Sequence, residues 1–389
     1  MHTGISPSPG RTAGGARPLL LSDLLGDLLW PRVLRSASLA LRPQRWVFST
    51  LMLVMAALIL RVAEGTSAGR GWMGLLRSAW ERGTDEIVLA AHRGDPGELA
   101  TAVGRAALGL LVDPQVAFPL TATLVLIPLI LLWSVGGTAV SRMVAVEYGL
   151  GRICPWHEAL GFGLKRWSAA GTAMLIAPAA AGFVCFIMAA AGWILLSWPV
   201  VQVAGGVLYP IFLAGALCAV LLLVGGVLGH GLFCPAVAAE NADGLDAFQR
   251  GLAYVVAAPG RLFLYTMLGS VQAVIGAFIV WMIASWTRGV AIWSSMRWIS
   301  HGEPGAEAGW SEKTADGLVS MWSAIPLVMV GGFIVSAYFA IFTIVFLLLR
   351  ERADGRDAAD LWMPGKRGMT ISVAKGPGSS GESTDEGFE

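Results

Sequence analysis

Residues 324–349 read AIPLVMVGGFIVSAYFAIFTIVFLLL, with no Asp, Glu, Lys or Arg in the run. About 20 mainly apolar residues cross the hydrocarbon core of a bilayer as a helix. Hydrocarbon offers no water to the backbone, so each N–H and C=O must be satisfied within the segment. The run therefore predicts a transmembrane helix. Five more stretches qualify, at Trp46–Ala63, Gln115–Val140, Trp167–Trp198, Val203–Leu228 and Leu262–Ile283. Together they predict an all-α fold, a polytopic membrane helical bundle of six transmembrane helices with interfacial amphipathic helices. The 389 residues as a whole agree, being 56% hydrophobic and only 14% charged. Soluble domains run about 45–50% apolar and about 25% charged. Such apolar content excludes a disordered chain, and four cysteines are too few for a disulfide scaffold.

The charges give an orientation. With the N-terminus inside, the inner segments carry 18 of the 27 Lys and Arg, and the outer ones 9. The positive-inside rule then places both termini in the cytoplasm. No secretory signal is expected, since the first apolar run long enough to span begins after 45 residues. By these boundaries Arg61 alone is charged within a span. Mid-membrane charges usually mark proton relays or ion paths, so this pattern argues against a proton-driven pump, a voltage sensor or a charge-ringed channel. Only Lys165, Lys313, Lys366 and Lys375 are lysine, an arginine bias expected of a GC-rich bacterial genome. The expected location is a bacterial inner membrane.

Three regions follow: an N-terminal cytoplasmic segment 1–45, a membrane domain 46–349 and a cytoplasmic tail 350–389. Residues 1–18 are rich in Gly, Pro and Ser. Next, Leu21, Leu24, Leu25 and Leu28 share a helical face, followed by Arg32, Arg35, Arg42 and Arg45. This segment fits either a helix lying on an anionic leaflet or one packed on the protein's own inner face. The first outer loop, Glu64–Pro114, has room for two helices in the outer interface, the second starting at Asp95-Pro96-Gly97-Glu98 with Asp as N-cap and Pro at N1. Ten of the 16 tryptophans fall on the expected outer side (Trp72, Trp80, Trp193, Trp198, Trp281, Trp286, Trp293, Trp298, Trp310 and Trp322), and Trp286–Trp322 reads as a helix resting in the outer leaflet. The tail begins as a charged helix, RERADGRDAADLW, and ends as an acidic, solvated segment.

Two inner loops resemble each other. Both leave a span through small residues ending in Glu147 or Glu240. Both then open an amphipathic helix, with Glu158-Ala159-Leu160 in one and Asp246-Ala247-Phe248 in the other, each closing on Gly-Leu. The apolar faces are Trp156, Leu160, Leu164 and Trp167, and Leu245, Phe248, Leu252 and Val255. A parallel repeat, 115–198 with 203–283, is the expectation, echoed by Pro43-Gln44-Arg45 and Pro259-Gly260-Arg261.

Chemistry is sparse. His230 and Cys234 share a helix face, but a metal site would need two more ligands. No span holds the pair of histidines a transmembrane haem needs. The G-x-S-x-G match at Gly65–Gly69 lacks the strand that a nucleophile elbow requires. No catalytic residue, cofactor or metal site is expected, and the protein reads as a non-enzyme. Gly225 and Gly229 form a small-xxx-small step, as do Ala181 and Cys185 more loosely, and Pro128, Pro178 and Pro210 lie inside spans, where a proline can kink the helix. The interaction candidates are Glu147, Glu158, Glu240, Asp246, Arg250, Arg261 and His230. Membrane lipids are the expected partners, with a protein partner at the cytoplasmic face and no nucleic acid.

The stretch GLFCPAVAAENADGLDAFQRGLAYVVAAPGRLFLY, from Gly231 to Tyr265, resembles an element of bacterial six-span membrane proteins of unknown function. In outline it is similar to the membrane domain attached to some glycerophosphodiester phosphodiesterases, over Arg166–Leu349. No phosphodiesterase catalytic domain accompanies it, so the resemblance implies a fold and no activity. Two functions then compete: a non-enzymatic protein that organises lipid or binds partners through its inner helices, and a permease for a neutral or amphiphilic solute between spans two and five.

Overall fold

A computed structural model of the chain describes residues 30–111, 117, 119–197, 202–296 and 310–363. The leucine face at Leu21–Leu28 and most of the tail lie outside the described residues. No strand occurs among the described residues. The helices are α1 (Trp30–Val33), α2 (Arg35–Ala40), α3 (Pro43–Glu64), α4 (Ser67–Arg93), α5 (Pro96–Leu111), α6 (Pro119–Leu150), α7 (Trp156–Leu196), α8 (Gln202–Val207), α9 (Tyr209–Glu240), α10 (Gly244–Ala257), α11 (Pro259–Met296) and α12 (Trp310–Ala353). Six of them, α3, α6, α7, α9, α11 and α12, are long and apolar enough to cross a membrane. The architecture is that of a multi-pass α-helical membrane protein.

The run that opened the reading forms the hub. In α12, 78% of the most apolar stretch is buried, against 11–39% in the other five spans. Helices α3, α6, α9 and α11 all pack on it. Phe333, Phe339, Ile344, Phe346 and Leu348 are almost wholly enclosed. Lipid tails are as apolar as leucine, so close packing rather than water exclusion holds such helices together. Glycine permits the approach. A Cβ on Gly332 of α12 would overlap Thr50 of α3, and one on Gly163 of α7 would overlap the backbone carbonyl of Val135 in α6. Gly225 admits Leu252 of α10. In the looser pair only Ala181 is buried, while Cys185 is exposed.

Local chemistry sets the breaks. Asn241 adopts a left-handed conformation (φ 57°), and its N–H donates to the Val237 carbonyl at 2.9 Å, closing α9. Asn is one of the few residues that tolerate this geometry. Ala258 leaves the helical region before Pro259, as residues preceding proline are steered to do, so α10 ends and α11 begins anew. Asp95 Oδ1 accepts from the Gly97 and Glu98 N–H groups at 2.8 and 3.4 Å, the expected cap of α5. Helices α4 and α5 pack on each other, and Trp72 tucks against Ala122 and Val125.

Several expectations are corrected. Pro210 does not kink a span: α9 starts at Tyr209, so Pro210 sits in the first turn, where a missing N–H costs no helical hydrogen bond. The prolines inside helices are Pro128, Pro178, Pro235 and Pro326. Of Trp286–Trp322, expected as a surface helix, the structure describes the two flanks 286–296 and 310–322. These flanks are direct continuations of α11 and α12, of 38 and 44 residues, or about 57 and 66 Å at 1.5 Å per residue. Trp72 is buried, whereas Trp80, Trp193, Trp281, Trp286, Trp293, Trp310 and Trp322 are exposed. Trp198 and Trp298 lie outside the described residues.

The two inner-loop stretches take different backbones. Trp156–Trp167 runs without a break into the 41-residue α7, whereas α10 is separate from α11. Their apolar faces also point oppositely. Phe248 and Val255 are buried, with only the first-turn Leu245 of that face exposed, but Trp156, Leu164 and Trp167 are exposed. Helix α7 instead buries Ala159, Ala170 and Ala173, since small residues allow the closest helix contact. Helix α11 packs on α12, with no substantial contact to α9, whereas α6 and α7 pack extensively.

Candidate functional site

The N-terminal end of α3 and the C-terminal ends of α6, α9 and α12 meet at one end of the bundle, so both described chain ends lie there. Two acids organise it, Glu147 closing α6 and Glu240 closing α9. Arg42 Nη2 reaches Glu147 Oε1 at 2.8 Å and Arg45 Nη1 reaches Oε2 at 2.9 Å. The Arg45 side chain is 2% exposed and that of Arg42 53%. Arg45 Nη1 also lies 3.4 Å from the Met143 carbonyl. Its Nε and Nη2 are buried without a hydrogen-bond partner.

Around Glu240 gather Arg250 from α10, Arg350 from α12 and Arg356 from the segment after α12. Arg350 Nη1 lies 3.3 Å from Glu240 Oε1, its side chain fully buried. Arg250 also pairs with Asp246 one turn earlier, at 3.0 Å, as i,i+4 charges on a helix do. The chain beyond α12 folds back as a cover. Arg350 Nη2 donates to the Asp357 and Asp360 carbonyls at 2.8 and 2.9 Å. Arg142 donates to the Ala238 carbonyl at 2.7 Å and to the Trp362 carbonyl at 2.6 Å. The Trp362 N–H returns to the Ala239 carbonyl at 2.9 Å. Tyr254 of α10 donates to Asp354 at 2.6 Å. Burial and the adjacent Asp354 carboxylate both push the Tyr254 hydroxyl up, so it stays protonated far into alkali.

Of the residues singled out from sequence, Glu240, Asp246 and Arg250 come together here, and Glu147 anchors the neighbouring cluster. Glu158 is exposed in the first turn of α7, and Arg261 stands apart from both clusters. His230 Nδ1 lies 3.0 Å from the Tyr338 hydroxyl, with the Trp133 ring beside both, so this histidine serves packing between α9 and α12. Cys234 is buried against Gly137. Among the described residues no three His, Cys, Asp or Glu gather as metal ligands would.

Sequence reading did not place Arg45, Arg142 and Arg350 among the interaction candidates. All three lie at span ends, where arginine reads as a flank, yet each is at most 5% exposed. The N-terminal arginines fit the second of the two readings offered for them. Arg32 bonds Glu351, Arg35 lies 5.6 Å from the Tyr148 ring, and Arg42 and Arg45 hold Glu147. Residues 30–45 therefore pack on the protein's own face. Comparison with protein families, with curated proteins and with solved structures finds no match for this chain.

Proposed function

We propose that this protein is a non-enzymatic membrane scaffold, with both termini in the cytoplasm, that binds a protein partner or organises lipid at its arginine-rich end. The observation that carries this reading is the filled interior. Phenylalanines and aliphatic side chains of α12 occupy the bundle axis, and glycines draw α3, α6, α9 and α11 close around them. Two depressions lie at the ends of the bundle, at Arg42–Cys154 and at Arg61–Arg77. Beside the charged clusters, Trp156, Leu164, Trp167 and Leu245 are exposed apolar groups, suited to a partner's helix or to the lipid interface. The excess of 18 basic residues over 9 supports the cytoplasmic assignment of that end.

The test is co-purification of the full chain with its native lipid in nanodiscs, followed by identification of bound proteins, alongside solute flux in proteoliposomes. A protein that remains bound, and is lost when Trp156 and Trp167 are both changed to Ala, is expected. Saturable flux of a neutral solute would overturn the scaffold in favour of the permease. For orientation, Cys154 is a poor reporter: it is buried, and burial pushes its thiol up despite nearby Arg142. Cysteines placed at exposed Glu158 and Asp85, in a chain lacking the four native ones, serve better. Externally added maleimide should label Asp85→Cys and spare Glu158→Cys; the reverse would invert the topology.

A further inference from the structure

We propose that the cavity at the start of α3 is a binding site for a phosphate group carrying one negative charge, presented by the headgroup of an acidic phospholipid or by a soluble phosphate. Arg42, Pro43, Gln44, Arg45, Met143, Glu147, Ile153 and Cys154 enclose a volume of about 220 Å³. That is space for a phosphate and a few attached atoms, below the ~300 Å³ at which pockets for whole drug-sized ligands begin.

The electrostatics select the ligand. Arg42 and Arg45 bring two positive charges, Glu147 returns one negative, and a single positive charge is left over. Cys154 stays a neutral thiol because burial raises it. Arg45 is 2% exposed, yet its Nε and Nη2 donate to nothing. Leaving buried donors on a charged group unsatisfied is costly, and a turn of the Arg45 guanidinium would present its Nε–Nη2 edge, the edge that grips phosphate with two parallel bonds, to the cavity. The backbone adds to this. Arg42, Pro43, Gln44 and Arg45, the start of α3, line the cavity, and Arg42 makes no side-chain cap, so the positive end of the α3 dipole lies at the cavity wall. Gln44 is tied to the Cys154 carbonyl at 3.3 Å, which holds the cavity wall in place. Pro43, Met143 and Ile153 are apolar walls suited to the glycerol and first methylenes of a lipid. Basic pockets between spans on the cytoplasmic side commonly take anionic headgroups.

This site is independent of the scaffold reading, since a permease could hold the same lipid. Its test is native mass spectrometry of the full chain after exchange into detergent doped with phosphatidylglycerol or with phosphatidylcholine, and a parallel titration with inorganic phosphate. The variants are Arg42→Gln, which changes a half-exposed side chain, and Arg45→Lys, which keeps the charge on Glu147 but removes the idle guanidinium edge. Melting midpoints confirm that each is folded. Selective retention of phosphatidylglycerol, weakened about tenfold or more in both variants, supports the site and names lipid as its source. Saturable phosphate binding with the same dependence, without preference between the lipids, supports it with a soluble source. Equal binding by wild type and Arg42→Gln, with every probe, overturns it. If Arg45→Lys does not fold, Arg42→Gln alone decides.

Discussion

Glu147 and Glu240 close two spans that run in the same direction, yet the corners they occupy are built differently. At Glu240 three arginines converge, and a returning segment supplies carbonyls to Arg350 and Arg142. Of the three arginines' buried donors, Nε of Arg350 is left over, with the Asn241 Oδ1 nearby. At Glu147 two arginines meet one acid, two donor atoms of Arg45 are idle, and a cavity stands beside them. A buried ion pair is sustained only when its remaining donors and acceptors find partners. The Glu240 corner meets that condition from within the chain, and the Glu147 corner leaves it to something else. The first is a structural lock and the second a binding place.

Removing the acid from each corner separates the two roles. Glu240→Ala leaves Arg350 buried without its carboxylate, and breaking such a pair costs about 3–5 kcal/mol. The melting midpoint in detergent should fall farther for this variant than for any other named here. Glu147→Gln should cost less, about 1–3 kcal/mol, because the amide oxygen still accepts from Arg45 and Arg42 is already half in water. If Glu147→Gln proves the more damaging, the assignment of lock and binding place is reversed.

The fold was legible because hydrocarbon imposes one rule on every spanning segment, and runs such as 324–349 satisfy it without ambiguity. Which span sits at the centre was not legible. Residues Leu347–Leu349 and Leu221–Leu223 read alike, but the first three are buried in the hub and two of the second three face outward. Hydropathy is the same toward lipid as toward protein. The inner helices show the same ambiguity. Periodicity picked out Trp156, Leu164 and Trp167 as a face, but the packing side of α7 is its alanine stripe. Of the two clusters, Glu147, Glu240, Asp246 and Arg250 were visible as a repeated acid and its neighbours. Arg45, Arg142 and Arg350 were not, since a span-end arginine that snorkels and one that turns inward have the same sequence.

The cover over the Glu240 corner can be loosened without touching its charges. Trp362 is 38% exposed and its ring lies 6.0 Å from that of Phe162. Trp362→Ala gives up an aromatic pair and part of a buried side chain, about 1–2 kcal/mol together. The backbone bonds from Arg142 and Arg350 remain available. The expected result is faster tryptic cleavage after Arg356 with a small loss of midpoint. Unchanged cleavage would mean that the arginines alone hold the segment down.

The smallest effect separates the hydrogen bond from the ion pairs. Tyr254→Phe removes the donor to Asp354 and should cost about 1 kcal/mol at neutral pH. Its pH dependence is the sharper reading. In the unfolded chain the hydroxyl titrates near its ordinary value of about 10. In the folded chain burial, reinforced by Asp354, keeps it protonated to higher pH. The folded state therefore binds more protons than the unfolded one above about pH 10, and stability falls as pH rises through that range. Below it Tyr254 contributes no slope. Tyr254→Phe should accordingly show a lower midpoint at pH 7 but a shallower decline from pH 10 upward, so that the two curves converge. Parallel curves would mean that Tyr254 is not enclosed by α12 and the returning segment, and the Glu240 corner would then be as open as the one at Glu147.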